Sequence, residues 1–168
     1  VLEIGPGGSL LKNIAASYGV EVQTVDLDPD LTPDFTASVE QLPFANDEYD
    51  VVCAFQVLEH LPYRNALKAF AEIARVARVN CVISLPDSRR VWRYCIHIPR
   101  IGPVERLIPR PQFVRPKHEF DGQHYWEVGK RGFALKNVVE DFGKLANLQA
   151  TYRVTENPYH RFFRFSTT

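Results

Sequence analysis

The sequence predicts an α/β domain with a doubly wound, seven-stranded, mostly parallel sheet. Three observations carry this. The chain opens on VLEIGPGGSLLKNIAASYG, which reads as a strand, a glycine turn and a helix. Strand-like and helix-like periods then alternate along the chain, the signature of parallel strands joined by crossovers. Near the end, two strand-like stretches are joined by ENPYH, which predicts a C-terminal antiparallel hairpin and one reversed strand.

Val1 to Ile4 form a short apolar strand interrupted by one acid, Glu3, and Gly5 to Gly8 form a tight turn. Leu10, Leu11, Ile14, Ala15 and Tyr18 fall on one helical face, and Gly19 is a natural stop. Val20 to Val25 read as the second strand, ending at Asp26. Only LDPDLTPD separates it from a third strand over Phe35 to Val39. A parallel crossover normally takes a dozen or more residues, so this one is expected to shrink to a turn around Pro29 and Pro33.

Tyr49 to Phe55 predict the fourth strand and Cys81 to Leu85 the fifth. Between them Arg64 to Ala77 predict a helix burying Leu67, Phe70, Ile73, Ala74 and Ala77. Ser88 to Glu127 follow no clean period. RRVWRYCIHIPRIG reads as an amphipathic helix with Val91, Trp92, Cys95 and Ile96 on one face, and prolines punctuate the chain beyond it. A long irregular segment in a compact domain reads as a lid or binding loop. Leu135 to Leu145 return to helix, with Leu135, Val138, Val139, Phe142 and Leu145 in register. The closing strands span Thr151 to Thr155 and Arg161 to Ser166, with Phe163 and Phe165 alternating against Phe162.

A strand, a glycine turn and a helix present backbone N–H groups to a ligand. The spacing argues against a dinucleotide, because the third glycine of G-x-G-x-x-G would fall on Leu10. Glu3 is the unusual feature: a buried carboxylate needs a cationic or hydrogen-bonding partner. Asp26, at the tip of the second strand, stands where such a sheet holds both ribose hydroxyls. A nucleoside with an amino-acid tail and no pyrophosphate satisfies both acids, and S-adenosylmethionine is such a molecule.

VLEIGPGGS, VQTVDLDP, SVEQLPFANDEYDVVCAFQVLEHL and RVARVNCVISLP occur in that order from Val1 to Pro86, about half the chain. Together they resemble the successive signatures of class I, Rossmann-fold S-adenosylmethionine-dependent methyltransferases, of the methyltransferase type 11 kind. The resemblance implies cofactor contacts from Glu3, Gly5, Pro6, Gly7, Asp26 and Leu27, and from Phe55, Gln56 and Val57 beside the methionine portion. Where many members carry an acid for the adenine amino group, this chain aligns Ser38, a weaker acceptor. Val39 and Glu40 offer further contacts there. His60 matches a histidine that lies near the acceptor in some members, and capping the next helix or bonding a loop carbonyl is its plainer role.

Methyl transfer from a sulfonium is an in-line displacement that needs positioning and exclusion of water more than a catalytic triad. A base is required only if the acceptor must lose a proton. His60, His118 and His124 are the candidates for acceptor contact or base. Tyr125 and Trp126 are candidate pocket walls, with core packing the plainer role for Trp126. His118, Asp121, His124 and Glu127 match no metal-ligand spacing, so no metal is expected.

The segment from Ser88 to Lys117 carries seven arginines and one lysine against one acid, Glu105. With Trp92, Tyr94 and Phe113 interleaved, it suits a phosphate- or carboxylate-bearing acceptor, with Arg89 and Arg93 as first candidates. An anionic membrane surface or acids elsewhere in the protein are the alternatives.

Formal net charge is zero, which argues against a nucleic-acid partner. No apolar run approaches a membrane span and no signal peptide is visible. Cys53, Cys81 and Cys95 are odd in number without a CxxC, and read as reduced thiols of a cytoplasmic protein. The chain opens inside a strand and contains no Met, which points to a truncated N-terminus. The expectation is one domain over residues 1–168, with residues 88–127 as the acceptor segment. It would transfer a methyl group to a small-molecule or glycan- or lipid-linked acceptor bearing an anionic group. A noncatalytic cofactor-binding scaffold and a nucleotide-sugar or NAD enzyme on the same fold stay open.

Overall fold

A computed structural model describes residues 1–168. The elements are β1 (Leu2–Ile4), α1 (Leu10–Ala16), β2 (Gln23–Asp26), β3 (Phe35–Thr36), β4 (Tyr49–Phe55), α2 (Tyr63–Val76) and β5 (Ala77–Pro86). They continue with β6 (Val91–Ile98), β7 (Gly102–Pro109), α3 (Leu135–Gly143), β8 (Asn147–Arg153) and β9 (His160–Ser166). The main sheet has seven strands in the order β3-β2-β1-β4-β5-β9-β8. Pairing is parallel from β3 to β5 and antiparallel on both sides of β9. This is the predicted sheet with its one reversed strand.

The core lies against one face of this sheet. Leu2, Ile4, Val25, Val52, Ala54, Ile83, Phe163 and Phe165 are buried there, and Phe70 and Ile73 of α2 and Val138 and Phe142 of α3 pack over them. Phe70 meets Phe142 and Phe165 at centroid distances of 4.7 and 4.8 Å. The buried side of α2 runs through Ala66, Ala69, Phe70, Ile73 and Val76. Leu67 and Ala74 lie at its margin, and Ala77 already belongs to β5. Leu145 lies beyond α3, which ends at Gly143.

Three sequence expectations are corrected. First, α1 forms where the period placed it, but its apolar face is not a core face. Leu10 is 69% and Tyr18 80% exposed, because no element of residues 1–168 packs over them. Second, β3 covers only Phe35–Thr36 and not Phe35 to Val39, while the crossover before it is the expected short turn, a single 3-10 turn over Pro29–Leu31.

Third, RRVWRYCIHIPRIG is not a helix, and the basic segment is not irregular throughout. Val91–Ile98 pair antiparallel with Gly102–Pro109 as a separate two-stranded ribbon. Trp92, Tyr94, Ile96 and Ile98 alternate along one side, and aromatic and β-branched residues at a period of two prefer a strand. The turn uses Arg100 and Gly102, both at positive φ. Residues 110–134 carry no long element after it.

Candidate functional site

The carboxyl ends of β1, β2 and β4 open on a cleft of about 410 Å³. Gly5, Gly7, Asp26, Leu27, Ser38, Val39, Gln56, Val57 and His60 line it, with Ile4, Leu31, Ala37 and Leu61, which the sequence does not single out. Its wall is mostly apolar with a few placed polar groups, the usual make-up of a small-molecule site.

Local geometry explains the residue types. Gly5 has a φ of 66°, and a Cβ there would come within 2.5 Å of Val57 Cγ2. Only glycine fits, so β1 and the turn after β4 approach as closely as the backbone permits. Asp26 Oδ1 accepts from the Asp28 N–H at 2.9 Å, which fixes the carboxylate at the rim. Ser38 Oγ accepts from the Glu40 N–H at 3.2 Å.

Gln56 holds a positive φ of 56°, a strained conformation for a side-chain-bearing residue, at the tip of β4. Its amide oxygen accepts from Ser84 Oγ at 3.1 Å and the Leu85 N–H at 3.2 Å, while its nitrogen donates to Glu59 Oε1 at 3.2 Å. These bonds hold the strained residue in place.

Three sequence-predicted contacts do not line the cleft. Phe55 packs edge-to-face on Phe162 at 6.0 Å, and Pro6 is buried with its carbonyl accepting from the Ser9 N–H. Glu3 is buried behind the turn, opposite Thr24 of β2 and Cys53 of β4. Its Oε2 makes no hydrogen bond. Burial pushes its carboxyl above the usual range, against the Lys12 N–H, which lowers it. The Cys53 thiol is pushed up to about 11 by burial and by Glu3, so it is no nucleophile at neutral pH.

A second cluster stands beside the cleft. A 3-10 turn over Leu58–His60 carries Glu59 inward and His60 outward. The rings of His60 and His124 meet edge-to-face at 5.1 Å. His60 Nδ1 lies 3.2 Å from the Gln123 carbonyl. His124 Nδ1 lies 3.5 Å from Glu127 Oε1 and has no hydrogen-bond partner. Tyr159 donates to Glu127 Oε1 at 3.1 Å.

Burial, with Glu127 nearby, pushes the Glu59 carboxyl up to about 8. It is the most deeply buried acid of this cluster, and nothing in the local sequence assigns it a role. His118 is not part of the facing pair: its Nε2 lies 2.7 Å from the His124 carbonyl and holds the loop. Trp126 is fully buried, donating from Nε1 to the Leu61 carbonyl at 3.1 Å, while Tyr125 is exposed. Asp121, His124 and Glu127 come together, with one ligand atom each within 4.8 Å of the others. Asp121 there accepts the N–H groups of Gln123 and His124.

The basic segment meets the sheet at the carboxyl end of β5. Asp87 follows β5 with its side chain wholly buried, and Arg89, Arg153 and Arg161 converge on it at 2.7, 3.1 and 2.6 Å. Arg93 pairs instead with Glu105 across the ribbon at 3.2 Å. The two arginines that the sequence puts first are therefore the ones that protein carboxylates hold.

Residues 2–85 match the model of the family described as Methyltransferase domain. No curated protein matches the sequence. Among solved structures, the fold is similar to an S-adenosylmethionine dependent methyltransferase from Mesorhizobium loti (TM-score 0.62, 13% identity, covering 98% of this chain and 89% of that one). It is also similar to magnesium protoporphyrin IX methyltransferase from Synechocystis PCC 6803 with bound SAH (TM-score 0.61, 17% identity, 99% and 73% covered). A third is 1,6-didemethyltoxoflavin-N1-methyltransferase from Burkholderia thailandensis, with bound 1,6-didemethyltoxoflavin and S-adenosylhomocysteine (TM-score 0.62, 13% identity, 99% and 70% covered). At these identities the likeness shows the fold. No helix is long and apolar enough to cross a membrane.

Proposed function

The chain belongs to the Methyltransferase domain family, and from that premise we propose that it transfers a methyl group from S-adenosylmethionine to a small-molecule or glycan- or lipid-linked acceptor bearing an anionic group. The observation that carries the cofactor reading is the glycine turn packed on Val57, with the buried Glu3, whose Oε2 makes no hydrogen bond, behind it and Asp26 on the rim. The residues present fit the molecule. Asp26 takes the ribose hydroxyls, and Ser38 and Val39 border the adenine. Gly5, Gly7, Gln56 and Val57 border the amino-acid end, whose ammonium Glu3 balances directly or through water.

When bound, S-adenosylmethionine supplies a methyl group already activated by a sulfonium. The rest falls to this chain. Leu27, Leu31, Val57 and Leu61 exclude water from the cleft. His60 lies on the cleft wall and faces His124, so the acceptor atom is brought against this pair. Where that atom must lose a proton, the pair takes it, and His118 acts through the His124 carbonyl as a positioning residue.

Calorimetric titration with S-adenosylmethionine tests the cofactor reading. Saturable binding is expected, weakened about tenfold or more in a folded Asp26→Ala protein by the loss of charge-assisted hydrogen bonds. Binding of NAD in its place, or unchanged affinity in the variant, overturns it. An acceptor screen with labelled methyl donor then separates an enzyme from a noncatalytic cofactor-binding domain.

A further inference from the structure

We infer that the cavity between the β6–β7 ribbon and the β8–β9 hairpin is a binding site for a diphosphate ester, the anionic part of the acceptor. This rests on the methyl-transfer reading above and names the acceptor class. The cavity measures about 590 Å³. Seven arginines line it against one acid, Glu105. They come from three parts of the chain: the segment just after β5, the ribbon and the loop beyond it, and the C-terminal hairpin.

The site is built in two layers. In the inner layer, the buried Asp87 carboxylate aligns Arg89, Arg153 and Arg161, whose side chains are 31%, 7% and 12% exposed. Arg153 also donates from Nη1 to the carbonyls of Arg89 and Pro158, at 2.8 and 3.1 Å. Arg161 donates to Thr151 Oγ1 at 2.9 Å. Gly129 locks the arrangement: a Cβ there would come within 2.5 Å of Arg89 Cγ. One carboxylate thus orients three guanidinium groups whose charge it cannot balance.

The outer layer is Arg90, Arg106, Arg110 and Arg115, none of which is paired with a protein carboxylate. Arg110 lies over the Trp92 ring at 5.9 Å. Seven guanidinium groups around one concavity repel one another, and a ligand of high negative charge density relieves this. Planar guanidinium forks match phosphate oxygens bidentately. The count exceeds what one phosphate can use, and the lining includes no aromatic face for stacking a base. The groups recognised are therefore adjacent phosphates.

The cavity lies on the same edge of the sheet as the cofactor cleft, beyond the ends of β5 and β8. A line of side chains joins the two: His60, His124, Glu127 and Tyr159, of which the last two border the neighbouring arginines. An ester held by its diphosphate there can extend its remaining part along this line toward the methyl group.

Inorganic pyrophosphate is the probe, titrated into the full chain by calorimetry without the methyl donor. Saturable binding is expected, tighter than that of inorganic phosphate and weakened by salt. Arg90→Gln with Arg110→Gln should weaken it by about tenfold or more, with S-adenosylmethionine affinity unchanged. Displacement of pyrophosphate by uridine diphosphate points to a soluble ester. Displacement by farnesyl diphosphate in phosphatidylcholine vesicles points to a lipid-borne one. Either supports the inference. Absence of pyrophosphate binding in a protein that still binds S-adenosylmethionine overturns it and leaves the methyl-transfer reading standing. So does retention on phosphatidylglycerol vesicles without pyrophosphate binding, which makes the arginines a membrane contact. Loss of S-adenosylmethionine binding by the wild type overturns the methyl-transfer reading instead.

Discussion

Gly5 and Val57 pack so closely that the space for a Cβ on Gly5 is already taken by Val57 Cγ2, 2.5 Å away. The contact joins the tip of β1 to the turn after β4, two edges of the cleft proposed to hold the cofactor. Gly5→Ala therefore meets both a positive φ and a steric clash. The expected cost is about 1–3 kcal/mol of stability, with a clear loss of S-adenosylmethionine affinity. Gly7 also has a positive φ, but nothing lies within 4 Å of its Cβ position. Gly7→Ala should cost less. Thermal unfolding and calorimetry of the two variants check the order, and equal effects would mean that the Val57 contact is not what selects glycine.

Glu59 supplies a pH dependence. Its carboxyl is raised by burial from 4.5 to about 8. Between those values the native state keeps a proton that the unfolded chain has released. Stability attributable to Glu59 is therefore full below the lower value and declines as pH rises through the higher one. Glu59→Gln keeps the oxygen that faces Gln56 and removes the titration. Denaturant unfolding at about pH 5 and about pH 9 should show the wild type losing stability relative to the variant. Parallel behaviour would mean that Glu59 is ionised in the folded protein.

Asp87 behaves in the opposite sense. Burial favours its neutral form, but hydrogen bonds from Arg89 and Arg161 and the charges of Arg89 and Arg153 outweigh this and hold the carboxyl below its ordinary range. Its contribution is present above the ordinary carboxylate range and lost as pH falls through the depressed value. Asp87→Asn leaves Arg153 and Arg161 buried together without a counter-charge. A loss of about 3–5 kcal/mol at neutral pH is expected by urea unfolding. A loss of under about 1 kcal/mol would mean that solvent screens the cluster.

The parts legible in the sequence are those set by neighbours along the chain. Tyr49–Phe55 reads as a strand because Val51, Val52, Cys53 and Phe55 favour a pleated surface, and the strand has those bounds. The Gly5 turn and the acid at Asp26 are likewise local signals. The ribbon is ambiguous by period alone, because Val91, Trp92, Cys95 and Ile96 fit a helical face as well as Trp92, Tyr94, Ile96 and Ile98 fit a strand. The turn at Arg100 and Gly102 is the signal that decides between them. The exposure of Leu10 and Tyr18 is not legible, since periodicity says that a face is apolar and not what covers it. The Asp87 cluster depends on Arg153 and Arg161, far along the chain, brought in by the β5–β9 pairing. The acid directly after SLP, at the tip of the fifth strand, is its one local clue.

The histidine pair gives the test closest to the chemistry. His60 lies on the wall of the cleft at the ends of β1, β2 and β4, while His124 reaches it from a loop more than sixty residues later, ring to ring at 5.1 Å. His124 Nδ1 is free of hydrogen bonds, and Glu127 stands 3.5 Å away, ready to balance an imidazolium. Glu127 is itself held by Tyr159. A base so placed matters only if the acceptor atom loses its proton on the enzyme, which is where a general base contributes about 10²–10⁴ in rate. His124→Gln, which lies off the cleft wall, should then lower kcat by about that factor and remove the acid limb of the pH–rate profile. S-adenosylmethionine affinity should stay within about twofold, because no cofactor contact is lost. Glu127→Gln should give a smaller loss and change the same limb, since it removes only the balancing charge. His118→Gln should lower kcat modestly without changing the profile's shape, because it orients the loop through the His124 carbonyl. If His124→Gln leaves both kcat and the profile unchanged, the acceptor atom is already deprotonated on arrival. The pair would then serve shape alone, and positioning would account for the whole of the rate.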